Sequence, residues 1–214
     1  LDGLRYLALG TDRKLYIYNE GAVFDITPIR ETQALTNPFT TNGTTTVSVA
    51  DTSHNAIQGD FVTFDSFSSI DGLDMNQEFE ITSITDANNY TVTHTSTASG
   101  STSGGGGSGN AKYQINVGPA TSTYGLGWGT DTWSSGTWGT ASSASDVVIV
   151  GRNWSLDNFG EDLIATVLDG GTFIWDTSGG LASRATALSN APTASRFSIV
   201  STDTRHLLIF GTET

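Results

Sequence analysis

Short runs in which apolar and polar residues alternate with a period of two, each closed by a turn-forming cluster, constrain this chain more than any other feature. Such a run places successive side chains on opposite faces of an extended strand. In Lys14–Tyr18, Leu15 and Ile17 share one face and Tyr16 and Tyr18 the other. Before it stand a strand at Arg5–Leu9 and the turn Gly10-Thr11-Asp12-Arg13; after it come the turn Asn19-Glu20-Gly21 and a short strand at Ala22–Ile26. This is a strand–turn–strand unit, and it returns twice near the C-terminus. Leu163–Val167 leads through Asp169-Gly170-Gly171 into Thr172–Trp175, and Arg196–Val200 leads through Ser201-Thr202-Asp203-Thr204 into Arg205–Phe210. Gly at these turns allows positive φ at low cost. The first and last units also align, with Leu15-Tyr16-Ile17-Tyr18 against Leu207-Leu208-Ile209-Phe210.

Repeated hairpins of this kind read as β-propeller-like blades, each unable to bury a face without a neighbour. The expected fold is therefore all-β: a partial propeller interrupted by a small inserted β-sandwich or barrel-like domain. Residues 1–35 form the first hairpin, 36–112 the insert, and 113–214 the remaining hairpins with a Trp-Gly loop. Within the insert, strands are expected at Thr44–Val49, Asp60–Phe64, Glu78–Ile84 and Asn89–Thr95. The Gly/Ser-rich stretch Ser99–Gly109, with Gly104–Gly107 unbroken, reads as a flexible hinge where the insert rejoins its parent.

Charge and composition narrow the function. Apolar residues make up 36% and charged residues 14%, too apolar for a disordered chain. The net charge of −13 repels phosphate, so nucleic acid is not expected as a tightly held partner. The absence of cysteine removes disulfides, thiolate metal sites and cysteine nucleophiles. No apolar run approaches the ~20 residues of a membrane-spanning helix. The first residue is Leu1 and the only methionine is Met75, as expected of a segment cut from a longer protein.

Few residues suggest chemistry. Asp157, Glu161 and Asp162 could supply the carboxylate pair of a glycan hydrolase, though acids beside a turn more often solvate it. Asp71 and Asp74 superficially resemble a calcium loop but lack its alternating ligands and closing Glu. His54, His94 and His206 stand alone, without a zinc-binding spacing, and no nucleophile elbow is present. No catalytic residue, metal or cofactor is expected. Trp128, Trp133 and Trp138 recur every five residues, with Trp-Gly-Thr at both ends of the stretch. They can fasten a loop between sheets or subunits, or stack on sugar rings.

Several segments together resemble tail proteins of tailed bacteriophages: Arg5–Arg30, Gly59–Phe64, Tyr113–Gly118, the Trp-Gly stretch, Trp154–Leu163 and Arg205-His206-Leu207. The resemblance implies a virion structural protein, nearest to the tail nozzle or tail tubular component of short-tailed phages. Its expected partners are copies of itself and other tail proteins, in a symmetric ring around a channel through which DNA passes without tight binding. The chain is shorter than a full propeller needs, and the resemblance supplies no enzyme residues. The alternative is a glycan- or receptor-binding module of a phage fibre or extracellular adhesin, with a host glycan as partner. Either way the hairpins are expected to expose faces that only a neighbour can cover.

Overall fold

The fold is that of a computed structural model, which describes residues 6–122 and 150–212. It is all-β, with four antiparallel sheets and no closed ring of blades among the described residues. The first sheet is a meander of β1 (Leu7–Gly10), β2 (Leu15–Asn19) and β3 (Ala22–Asp25). Glu20 and Gly21 both take positive φ, 47° and 91°, which gives the tight β2–β3 turn the twist that antiparallel strands favour.

The chain then builds a seven-stranded sheet from β4 (Ile29–Thr36), β5 (Phe39–Thr40), β6 (Thr46–Ala50), β7 (Phe61–Asp65), β8 (Glu78–Asp86), β9 (Asn89–Thr93) and β10 (Ser108–Gln114). Their order is β4-β10-β7-β8-β9-β6-β5. Alternation is strict in β6, β7 and β9, so Val47, Val49, Val62, Phe64, Tyr90 and Val92 enter one core. Phe39, Phe64 and Phe67 meet edge to face at 4.8–5.9 Å between ring centroids. The sheet begins at residue 29, where the sequence reading put the start of this unit at 36. Neither β4 nor β10 was expected as a strand, because Arg30, Thr32, Ser108, Gly109 and Asn110 dilute their alternation.

The glycine stretch read as a flexible hinge is instead fastened to the core's edge. Asn37 donates to the Gly107 carbonyl at 2.7 Å, and Phe39 and Gly105 exchange both backbone hydrogen bonds. A Cβ on Gly106 would lie 2.4 Å from the Phe39 ring, and one on Gly109 would lie 2.6 Å from the Asp65 carbonyl oxygen. Here glycine serves close approach to other groups.

After the insert come β11 (Trp154–Phe159), β12 (Asp162–Val167), β13 (Thr172–Trp175) and β14 (Thr186–Ala187) in one sheet, then the hairpin β15 (Phe197–Val200) and β16 (Leu207–Phe210). In the β12–β13 turn the left-handed residue is Asp169, φ 55°, and neither following glycine. β12 is buried on both faces. On one side Leu163 and Ala165 meet Leu15 and Ile17 of β2 in a second core that also holds Ile26 and Trp175. On the other, Thr166 donates to Ser198 of β15 at 2.7 Å, and Ser155 donates to the Ser198 carbonyl at 2.8 Å. The three hairpin sheets therefore form an open stack, with the β11–β14 sheet in the middle.

Candidate functional site

Period two fixes what the ends of this stack present. In the first sheet Leu15 and Ile17 turn inward, so the register puts Leu7, Tyr18 and Val23 in one outward row and Leu9 beside Tyr16 in the next. Leu7, Leu9, Tyr18 and Val23 are 40–58% exposed. At the far end Ser198 and Val200 turn inward. That leaves Phe197 opposite Phe210 and Ile199 opposite Leu208 on the outer face, all 41–49% exposed. Phe197 and Phe210 stack at 4.7 Å, with ring planes 16° apart. Among the described residues each end of the stack thus exposes four large apolar side chains on one sheet face, an arrangement that marks an interaction surface more than scattered apolar residues do. The only charged group in the outward rows of the first sheet, Asp25, is already paired with Lys14 at 2.9 Å and Arg184 at 2.7 Å.

Asp25 belongs to a charge cluster where the insert meets the stack. Lys14 Nζ sits between Asp25 and Glu78 and lies 4.1 Å from the centroid of the Phe61 ring. Arg184 reaches Asp25 and, at 3.6 Å, Glu78, whose other contact is the Gln114 amide, donating at 2.6 Å. Burial works against the charge on Asp25, but hydrogen bonds from Thr27 and Lys14 and the nearby Arg184 outweigh it and hold the carboxyl below its ordinary range. Burial likewise opposes the charge on Lys14, while Glu78 and Asp25 together raise its pKa. Within the insert's core Tyr113 donates to Asp51, and the Tyr90 and Tyr113 hydroxyls are 2.8 Å apart. Burial raises Asp51 despite that hydrogen bond and raises both tyrosines. One Asp51 oxygen is buried without a hydrogen-bond partner among the described residues.

The residues singled out for chemistry are dispersed. Asp157 lies on β11 and accepts the Val200 backbone N–H at 2.7 Å, so it ties two sheets together. Glu161 and Asp162 line a shallow open cleft of about 420 Å³ with Asp176 and Arg205. In that cleft Asp162 accepts the Thr177 N–H at 3.0 Å, and Asp176 caps Ser178 at 2.7 Å. Asp71 accepts from Thr41 and Thr102, whereas Asp74 accepts from Asn76. The two carboxylates thus brace separate turns. His54 accepts the Ala56 N–H, His94 accepts the Ser96 N–H, and His206 is exposed beside Thr204. Among the described residues no three His, Cys, Asp or Glu side chains gather as a metal site would require. No helix there is long and apolar enough to cross a membrane. Trp128, Trp133 and Trp138 lie outside the described residues.

Sequence reasoning anticipated uncovered faces in general and put Tyr16 and Tyr18 on the face opposite Leu15 and Ile17, without assigning either face to the outside. It did not identify Phe197, Ile199, Leu208 and Phe210 as a single patch. The signal was present, since period two puts Phe197 with Ile199 and Leu208 with Phe210, but the cross-strand register that joins the pairs is not in the local sequence.

No protein-family model matches the chain, and no curated protein matches it. Among solved structures it is similar to the Phage phi92 endosialidase, at 13% identity and a TM-score of 0.36, over 99% of this chain and 34% of that one. The chain thus spans about a third of the length of that protein. Overlap at this level does not establish a shared fold.

Proposed function

We propose that this chain is a non-catalytic structural module of a tailed-phage particle, associated with its tail, and that it works by packing against other chains. The observation that carries the reading is the open stack of sheets, with four large apolar side chains exposed at each end. Covering apolar surface yields about 25 cal/mol per Å², and a sheet face left in water forgoes that gain. Surfaces of this kind are met by another sheet, from a further copy or from a different tail protein. Head-to-tail contact between the two unlike ends would use both faces in one geometry, which closes a ring or extends a filament.

Two finer forms of the reading differ in what the module does once assembled. We place first a receptor- or glycan-binding module of a fibre, a role that an open stack of sheets can serve without closing into a propeller. Its candidate stacking residues are Trp128, Trp133 and Trp138, and its ligand a host glycan. In the nozzle form, a ring surrounds a DNA channel whose carboxylates repel phosphate, and the net charge of −13 supports that.

The test of the shared reading is incorporation. Leu9→Asp and Ile199→Asp each place a charge on one end face without touching either core. Particles raised with either variant should carry less than about a tenth of the wild-type amount of this chain, given typical losses at interface centres. Wild-type incorporation of both variants would overturn the reading. Gold-labelled antibody on purified particles gives the position. A glycan array separates the two forms, since binding that is lost on Trp133→Ala selects the fibre form.

A further inference from the structure

Among the described residues the insert and the stack have separate apolar cores, and no buried apolar residue is common to both. The side chains that meet across their boundary are mainly charged. Arg13 and Lys14, in the turn that opens β2, grip Phe61, Glu78 and Glu80 of the insert. Arg13 reaches Glu80 at 2.7 Å and the Gly59 carbonyl at 3.0 Å, and its guanidinium lies 4.8 Å from the Phe61 ring centroid. Lys14 bridges Glu78 to Asp25, and Arg184, from the loop before β14, bridges the same two acids. Three cations face three carboxylates, so the cluster is neutral. It also takes three of the chain's nine basic residues, against a surplus of acids that could otherwise hold them anywhere on the surface. The acids nearest to it hold other partners: Asp60 accepts from Val117, Asn116 and Ile57, and Arg152 lies towards Asp60 and Asp12.

We infer that Lys14, Asp25, Glu78 and Arg184 form an electrostatic latch that sets the insert's orientation on the sheet stack, and that neutralising one carboxylate releases the insert while both units stay folded. The reason is the asymmetry of half-buried ion pairs. Paired, they hold geometry at modest net gain; with Glu78 neutralised, Lys14, only 7% exposed, and Arg184 must share the single carboxylate of Asp25, which leaves one positive charge uncompensated. The cheapest relief is for the junction to open and rehydrate it. The backbone that would yield is the return crossing, where Ile115 donates to the Pro28 carbonyl at 3.0 Å and Gly118 to the Asp12 carbonyl at 2.8 Å. This inference is independent of the assembly reading.

Amide hydrogen exchange on the full chain tests it, with Glu78→Gln as the variant. Exchange at Ile115 and Gly118 should rise about tenfold or more, while Val92 and Ala165, one in each core, stay within about twofold of wild type. Wild type in about 1 M NaCl, where the Debye length is ~3 Å, should move the same two amides in the same direction. The inference is overturned if the junction amides keep wild-type exchange under both treatments, or if all four amides accelerate together. Should Glu78→Gln fail to fold, the salt series on wild type decides by the same criteria.

Discussion

Single positions in this protein are governed by what lies within a few ångströms of them, and Asp51 and Gly106 show it from opposite sides. Asp51 is a buried carboxylate with a raised pKa, caused chiefly by desolvation, which Tyr113 only partly offsets. Its ionised form therefore opposes folding at neutral pH, and that cost fades as pH falls from the raised value towards the unfolded one. Asp51→Asn should then stabilise the chain by roughly 1 kcal/mol at pH 7, with the gap to wild type closing as pH falls through the raised value and gone below about 4. Thermal midpoints measured across that range check both the sign and the window. Asp25 has the reverse sign. Its lowered pKa contributes stability above the ordinary carboxylate range, lost as pH falls through the lowered value. Gly106 has φ 97° and faces the Phe39 ring, so Gly106→Ala combines backbone strain with overpacking. It should cost roughly 2–4 kcal/mol in urea denaturation, whereas alanine at a glycine of a hinge would change little.

At the level of strands and sheets, alternation in the sequence identified the elements that carry both cores. β2, β6, β7, β9, β12 and β13 all stand where period two and turn chemistry put them. β4, β10 and β11 were less legible, because Thr32, Gln33, Ser108, Gly109 and Asn158 interrupt the apolar rhythm; β4 and β10 also form through ladder partners far along the chain, whereas β11 pairs with its neighbour β12. Gly104–Gly107 was misread because glycine admits a flexible linker and a close approach equally, and only Phe39 and Ile70 decide between them. The charge cluster was invisible for a different reason. Lys14 and Glu78 lie 64 residues apart, and Asp25 and Arg184 lie 159 apart, so no spacing rule connects them. The two faces of β12 allow a prediction at this scale. Trp175 is 2% exposed, closes the core between the first and middle sheets, and meets Tyr6 edge to face at 5.6 Å. Trp175→Ala should cost about 3–5 kcal/mol. Hydrogen exchange should show that loss in β2 and β12 and leave β9 protected.

At the largest scale, the described residues form an insert latched to a stack of sheets whose two ends expose apolar side chains. Among the described residues Asp157 lies apart, tying β11 to β15, from the shallow cleft that Glu161, Asp162 and Asp176 line. What the stack offers other molecules is the pair of end faces, so assembly is the account's central claim. Because the chain has no cysteine, it can be tested with one reporter on each face. Val23→Cys and Ile199→Cys would each place a single thiol on an end face, and its rate of alkylation can be compared between the isolated chain and assembled particles. The account predicts rapid labelling of both thiols in the isolated chain and at least about tenfold slower labelling of both in particles, as burial in an interface core requires. Equal rates in the two states would contradict it.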